Sequence, residues 1–260
     1  MTVALFAPCY VDQFYPGAAI ASLRLLEALG FRVAVPAGAV CCGQPMANAG
    51  FQRAGGAAAQ AYEQAFAGYD VVVTPSGSCA GHLRAHVPGA GARTQELCAF
   101  LHDTVGVERV HKLGARWAAR VGVHLGCHGL RGLGLATPTE AGPDADGPTG
   151  TVRRDKVGAL LAAVAGLEVV ALDRPDECCG FGGTFAVAEP AVSVKMGQGR
   201  LADHLGHGAQ AVVTTDLSCA MHLEGLARRA GRRLPFVHVA QALMMGVEAD
   251  RQPGGAVLQP

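Results

Sequence analysis

Nine cysteines occur among the 260 residues, and eight of them fall into two sets of one pattern. Cys9 is followed by the adjacent pair in Cys41-Cys42-Gly43 and then by Cys79. Cys127 is followed by Cys178-Cys179-Gly180 and then by Cys219. One Cys-Cys-Gly triplet could be chance, but two at the same place in a repeat need a common cause. Adjacent cysteines in an extended strand point to opposite faces, so both reach one centre only where the backbone turns. Gly43 and Gly180 supply a permissive backbone, and Gly182-Gly183 lets the chain pass close to a bulky group. Thiols gathered in this way are suited to holding a metal.

A single zinc ion matches the pattern poorly. Structural zinc sites pair ligands two to four residues apart, and the chain has no CxxC. A multi-iron cluster fits better, because neighbouring thiolates can bind different irons, and four cysteines is the usual number for a four-iron cluster. The residues therefore predict iron–sulfur clusters, one [4Fe-4S] held by Cys9, Cys41, Cys42 and Cys79 and one by Cys127, Cys178, Cys179 and Cys219. Inert buried cysteines would not repeat. A vicinal disulfide at each triplet would leave the four outlying cysteines unexplained. Cys98 has no counterpart in the second set and is expected to be a core thiol. His82, His124, His128 and His222 lie near the cysteines in sequence and are expected as outer donors or core residues rather than ligands. Glu177 precedes the second pair, either to steer protons or as a solvated charge.

The elements that must position these thiols repeat as well. Lobe one runs strand (3–7), Cys9, helix (17–29), strand (32–35), the first triplet, helix (51–67), strand (71–74) and Cys79. Lobe two runs strand (121–125), Cys127, helix (153–164), strand (168–172), the second triplet, helix (188–204), strand (211–215) and Cys219. Val157, Leu160, Leu161 and Val164 share one helix face, as do Ala19, Leu23 and Leu26; Ala54, Ala58, Ala61 and Ala65 repeat at the same spacing and predict a close helix–sheet contact. The strands are short apolar runs, as expected of strands buried on both faces. Each lobe ends in a terminal helix, one begun by Thr94-Gln95-Glu96-Leu97 and one reached through Val237. Alternation of strand and helix implies parallel sheets, so the expected class is α/β: two Rossmann-like or flavodoxin-like lobes related by internal duplication. The modules are placed at 1–116 and 117–260, joined through 106–120. A Pro/Gly/Asp-rich loop is expected at 136–150 and a loose tail from about 247. In an open parallel sheet, ligands bind at the carboxyl edge, where every one of these cysteines follows a strand.

Composition sets the outer bounds. Half of the residues are apolar, and 21 basic residues balance 21 acidic ones. A neutral chain offers no footprint for nucleic acid. No apolar run approaches the ~20 residues of a membrane span, and the opening Met1 to Pro8 lacks a basic flank and is read as a buried strand. The cytoplasm is the expected setting, where structural disulfides are rare.

With these residues in view, the chain resembles the cysteine-rich CCG-domain iron–sulfur family over nearly its whole length. Members include the cysteine-rich subunit of heterodisulfide reductase, iron–sulfur subunits of glycolate oxidase and anaerobic glycerol-3-phosphate dehydrogenase, and the lactate-utilization proteins. The last group is suggested by Phe6-Ala7-Pro8-Cys9-Tyr10-Val11-Asp12, Pro75-Ser76-Gly77-Ser78-Cys79 and Cys178-Cys179-Gly180-Phe181-Gly182-Gly183-Thr184-Phe185. The resemblance implies an electron-accepting subunit in oxidation of L-lactate to pyruvate. It also implies two partners, a ferredoxin-type iron–sulfur protein and a third lactate-utilization protein. Glycolate or another small hydroxy acid is the alternative substrate, and thiol–disulfide chemistry the alternative reaction. Arg24, Arg84, Arg131 and Lys195 are the cations available to a substrate carboxylate, although residues of this kind are mostly ordinary surface charges. One departure stands out. Many members end each module in CxxC, and the first position of that motif is Ser76 in lobe one and Asp216 in lobe two. Either could be an oxygen ligand. The missing cysteines favour ordinary four-iron clusters.

Overall fold

The computed structural model describes residues 2–39, 41–141 and 155–247. Lobe one runs β1 (Thr2–Leu5), α1 (Cys9–Phe14), α2 (Pro16–Ala28), β2 (Arg32–Ala34), α3 (Gln44–Asn48), α4 (Gln52–Phe66), β3 (Val72–Thr74), α5 (Gly77–His86), β4 (Thr94–Glu96), α6 (Leu97–Ala99) and α7 (Val107–His111), with a π-helical stretch at Phe100–Val105. Lobe two runs β5 (Arg116–His124), α8 (Lys156–Leu161), β6 (Ala165–Val169), α9 (Phe185–Ala188), α10 (Pro190–Gly206), β7 (Ala211–Thr214), α11 (Leu217–Arg229), β8 (Phe236–His238) and α12 (Val239–Leu243).

Each lobe has a four-stranded sheet, ordered β2-β1-β3-β4 in one and β6-β5-β7-β8 in the other. All pairings are parallel, with Val3 opposite Val33 and Ala4 opposite Val72 in lobe one, and Val121 opposite both Val169 and Ala211 in lobe two. The two orders are the same order, as duplication of an α/β unit requires. In each, the chain leaves the first strand for one neighbour and returns to pair on its other side. That reversal opens a crevice at the carboxyl edge of β1 and β3, and of β5 and β7.

Alternation along the strands divides the core. Val3, Leu5 and Val73 face one way and Ala4, Phe6 and Val72 the other. The first face meets its counterpart from lobe two, Val121 and Val213, in one cluster with Leu25, Leu26, Leu101, Leu160, Leu161, Val239 and Leu243. The largest core is therefore shared between the lobes. The opposite faces pack under α4 and α5 in lobe one and under α10 and α11 in lobe two.

Several local expectations are corrected. Thr94–Glu96 is a strand, and the terminal helix starts at Leu97. The strand expected at 168–172 lies at Ala165–Val169. The supposed joining segment is largely regular structure, with α7 at Val107–His111 and β5 beginning at Arg116. In α4 the buried residues are the aromatics Tyr62 and Phe66, not the alanine row; an aromatic ring covers far more apolar area than a methyl group and takes the core side. In α2 the buried stripe is Ala18, Ala21, Ser22, Leu25 and Leu26. The loop expected at 136–150 lies outside the described residues from 142, and the expected tail does so from 248.

Candidate metal centres

Each thiol is delivered by a specific break in regular structure. Cys9 opens α1, four residues beyond the end of β1. Cys41 and Cys42 lie in the loop after β2, where Gly43 adopts φ +92° and starts α3. Cys79 stands in the first turn of α5, whose N-cap Ser76 accepts from the Cys79 N–H. In lobe two Cys127 begins a π-helical turn over His128–Gly132. Cys178 and Cys179 precede Gly180 at φ +86°. Cys219 stands in the first turn of α11, which Asp216 caps. A helix start exposes unpaired N–H groups and favours a nearby thiolate.

The eight thiols form two quartets. In lobe one the Cys9 and Cys41 sulfurs are 4.0 Å apart, Cys41 also contacts Cys42, and Cys42 contacts Cys79. Lobe two repeats the chain of contacts as Cys127, Cys178, Cys179 and Cys219. All nine cysteines are free thiols, and Cys98 is buried in the shared core away from both quartets. Backbone N–H groups aim at the sulfurs: Gly43 at Cys41, Gly180 at Cys178 and Phe181 at Cys179, each at 3.4 Å.

Crowding governs ionisation. Hydrogen bonds from Cys42 and Cys9 hold Cys41 down to about 2, and those from Cys127 and Cys179 hold Cys178 at about 2. Their hydrogen bonds to these thiolates push Cys9, Cys42, Cys127 and Cys179 far up. One thiolate ringed by thiols is the best that like groups achieve by themselves; a polycationic group would hold all four ionised. The donor set, four sulfurs with backbone donors and no carboxylate among them, fits an iron–sulfur group.

The layer beneath the quartets differs between lobes. Gly43 packs on the Gly55 carbonyl and Ala58 of α4, and Gly180 on the Ser193 carbonyl and Met196 of α10. The same register sets Tyr62 against Arg200 and Phe66 against His204. Phe6 and His124 each stand three residues before the first cysteine of their lobe. Lobe one thus has three aromatic rings, with centroids 4.6–5.6 Å apart. Lobe two has a buried cation, Arg200, near two buried histidines, His124 and His204. Arg200 donates to Asp203 at 3.1 Å, to the Val123 carbonyl at 3.3 Å and to the Arg174 carbonyl. His204 fills space that Gly122 leaves open, where a Cβ would come within 2.1 Å of Nδ1. Burial, then Arg200, lowers His124 to about 4 and His204 to about 2. The sequence reading missed Arg200 and His204. Their signal was present: on superposing the repeats, they take the i, i+4 places of two buried aromatics.

Of the four histidines near the thiols, His124 has a ring nitrogen within 4.8 Å of the Cys179 and Cys219 sulfurs. His128 lies 3.6 Å from Cys127. His82 stacks near His86, and His222 meets the Phe181 ring. Glu177 pairs with Arg174, and Arg131 with Glu140.

Two kinds of contact lock the lobes across their approximate two-fold axis. The residue after the first cysteine of one lobe meets the residue after the triplet of the other: Tyr10 against Phe181, ring edge to face, and His128 against Gln44 at 3.1 Å. At the axis Asp216 accepts from Ser78 N–H at 2.8 Å and from the Ser76 hydroxyl at 3.4 Å, while its other oxygen accepts from Ser218. Ser76 and Asp216 are thus helix caps and an interlobe bond, with their oxygens occupied. Among the described residues no helix is long and apolar enough to cross a membrane.

Comparison with known proteins agrees with this architecture. The cysteine-rich CCG domain matches twice, at residues 3–84 and 121–224. The chain is 33% identical to "Lactate utilization protein A 1" of Bacillus mycoides (strain KBAB4), over 98% of this chain and 100% of that protein. It is 36% identical to lactate utilization protein A of Macrococcus caseolyticus (strain JCSC5402), over 96% and 98%. It is 35% identical to that of Exiguobacterium sp. (strain ATCC BAA-1283 / AT1b), over 95% and 98%. With one matched domain around each thiol quartet and relatives that align almost end to end, the chain belongs to the cysteine-rich CCG domain family.

Proposed function

We propose that the chain is an iron–sulfur electron-transfer subunit of a complex that oxidises L-lactate to pyruvate, working in the cytoplasm with a ferredoxin-type iron–sulfur protein and a third lactate-utilization protein. The observation that carries this reading is the pair of matched thiol quartets, Cys9, Cys41, Cys42 and Cys79 with Cys127, Cys178, Cys179 and Cys219, in a chain that aligns end to end with lactate utilization proteins. Each quartet holds one [4Fe-4S] cluster, and the modules divide at 116/117, at the amino end of β5.

Such a cluster, when bound, supplies reversible one-electron exchange. The chain's own part is to hold and tune. The eight thiols supply the ligands, and the N–H groups of Gly43, Gly180 and Phe181 offset negative charge on sulfur. The Tyr10–Phe181 and Gln44–His128 contacts keep the two sites in fixed register. Ser76 and Asp216 serve as caps where many relatives of the wider family have a fifth cysteine, which counts against the thiol–disulfide reading.

Anaerobic purification or reconstitution tests the proposal. About four irons and four sulfides per quartet are expected, with half lost in C41S/C42S and half in C178S/C179S. A colourless, zinc-containing protein would overturn it. A strain carrying either double variant should fail to grow on lactate while the protein remains folded.

A further inference from the structure

Lobe two carries beneath its thiols a buried polar group that is not one of the four cysteines, close enough to Cys179 and Cys219 to share a metal with them. His124 is 2% exposed, and neither ring nitrogen has a hydrogen-bond partner. One of those nitrogens lies within 4.8 Å of the sulfurs of both Cys179 and Cys219. An orphaned imidazole in the core is costly unless it faces something that accepts its proton. Behind it stands Arg200, fully buried, with one guanidinium N–H on the carbonyl of Val123, the residue next to His124. Asp203 balances Arg200 through the other terminal nitrogen. Among the described residues lobe one has no fully buried imidazole beneath its thiols; His82 near Cys41 is only part-buried and is matched in lobe two by His222 near Cys178. The positions corresponding to His124, Arg200 and His204 are Phe6, Tyr62 and Phe66, and the one hydroxyl among them, on Tyr62, is engaged with Thr94 at 2.6 Å.

Resting on the iron–sulfur reading, we infer that His124 donates a ring N–H to the sulfur of the group held by lobe two and, with Arg200 behind it, makes that site the more easily reduced of the two. The reasoning is electrostatic. Reduction adds negative charge to the metal group, and hydrogen bonds to its sulfurs, or a nearby fixed cation, stabilise the reduced form. An aromatic layer lowers the local dielectric and supplies neither. Four thiols already meet the usual donor number, so His124 acts on sulfur as a positioning residue and is not a fifth ligand. The two halves of the duplication are then a low-potential and a high-potential site within one chain.

The test uses the full chain, loaded anaerobically with iron and sulfide and titrated potentiometrically under electron paramagnetic resonance. Wild type should show two separate midpoints, with the higher one missing from C178S/C179S. H124F should shift the higher midpoint down and leave the lower in place. F6H, which brings the imidazole into lobe one, should raise the lower midpoint, and it remains informative should H124F fail to fold. Coincident midpoints in wild type, or an H124F protein with both midpoints unmoved, would overturn the inference while leaving the cluster assignment intact. A chain that takes up no iron or sulfide would overturn the iron–sulfur reading itself, before any potential is measured.

Discussion

Phe6, Tyr62 and Phe66 fill in lobe one the places that His124, Arg200 and His204 fill in lobe two. Around these triads the sheets have one strand order and the thiols one pattern of contacts. The thiol arrangement thus depends on the sheet edge, the helix starts and the turn at Gly43 or Gly180. It tolerates two opposite supporting layers. Aromatic packing stabilises by burial plus about 0.5–1.5 kcal/mol per well-placed ring pair. A buried ion pair adds little net stability, because desolvation offsets the attraction, yet its loss leaves an uncompensated charge in the core. Equal thiol geometry can therefore hide very unequal sensitivity to mutation.

Arg200→Met is the sharpest way to expose that inequality. It takes the guanidinium away from the buried Asp203 carboxylate, which keeps only the Asp173 and Arg174 N–H groups and the nearby His207 ring, and should cost about 3 kcal/mol. Its counterpart Tyr62→Phe removes one hydroxyl bonded to Thr94 and should cost about 1 kcal/mol. Urea unfolding of the two variants decides the point. The double variant R200M/D203L should recover part of the loss: it leaves no charge behind, but the Asp173 and Arg174 N–H groups lose their acceptor. Similar costs for R200M and Y62F would mean that the polar layer is solvated in a way its burial denies.

A second comparison uses Glu96 and His238, which cap the terminal helices of the two lobes and are both buried. Burial raises Glu96 from 4.5 to about 7 and lowers His238 from 6.5 to about 4. The native state keeps both neutral, with opposite consequences. The Glu96 contribution is fully present below pH 4.5 and is lost as pH rises through 7. The His238 contribution is fully present above pH 6.5 and is lost as pH falls through 4. Each spans about 3 kcal/mol, because a tenfold change in an acidity constant corresponds to about 1.4 kcal/mol. E96Q should flatten the stability profile between pH 4.5 and 7, and H238Q should flatten it between pH 6.5 and 4. Both slopes are measurable by denaturant unfolding across pH. A profile unchanged by either substitution would mean that these side chains reach water.

How much of this was legible beforehand depended on the kind of residue. The thiol sets stood out because cysteine is rare and the repeat is internal. The strands at 71–74 and 211–215 were visible as short apolar runs and correspond to β3 and β7. β4 was not visible, because Thr94-Gln95-Glu96 has three polar residues and no apolar pattern; its place comes from pairing with β3. α1 and α3 are too short to show a period. Arg200 and His204 pass unremarked on a helix, because arginine is mostly exposed and histidine often partly so. Ser76 and Asp216 drew attention as departures from a cysteine motif. Only the folded arrangement shows them bonded to each other at the axis.

The smallest contrast lies in the two turns that look identical in sequence. Gly43 and Gly180 both hold a positive φ, +92° and +86°, so alanine is strained at either, by about 1–2 kcal/mol. Their surroundings are unequal. A Cβ on Gly43 would meet the Gly55 carbonyl at 3.2 Å and the Ala58 methyl at 3.5 Å, contacts that a few tenths of an ångström of movement relieves. A Cβ on Gly180 would meet the Ser193 carbonyl at 2.6 Å and the Met196 Cβ at 2.8 Å. Neither can swing away, because one is helix backbone and the other is fixed to it. G180A must therefore push α10 off its sheet or move Cys179, and should cost about 1–2 kcal/mol more than G43A, in keeping with the usual penalty for overpacking. Thermal unfolding gives the energies. Iron retention then tells which response occurs: a displaced Cys179 loosens metal in lobe two alone, whereas a displaced α10 lowers stability with both sites still filled.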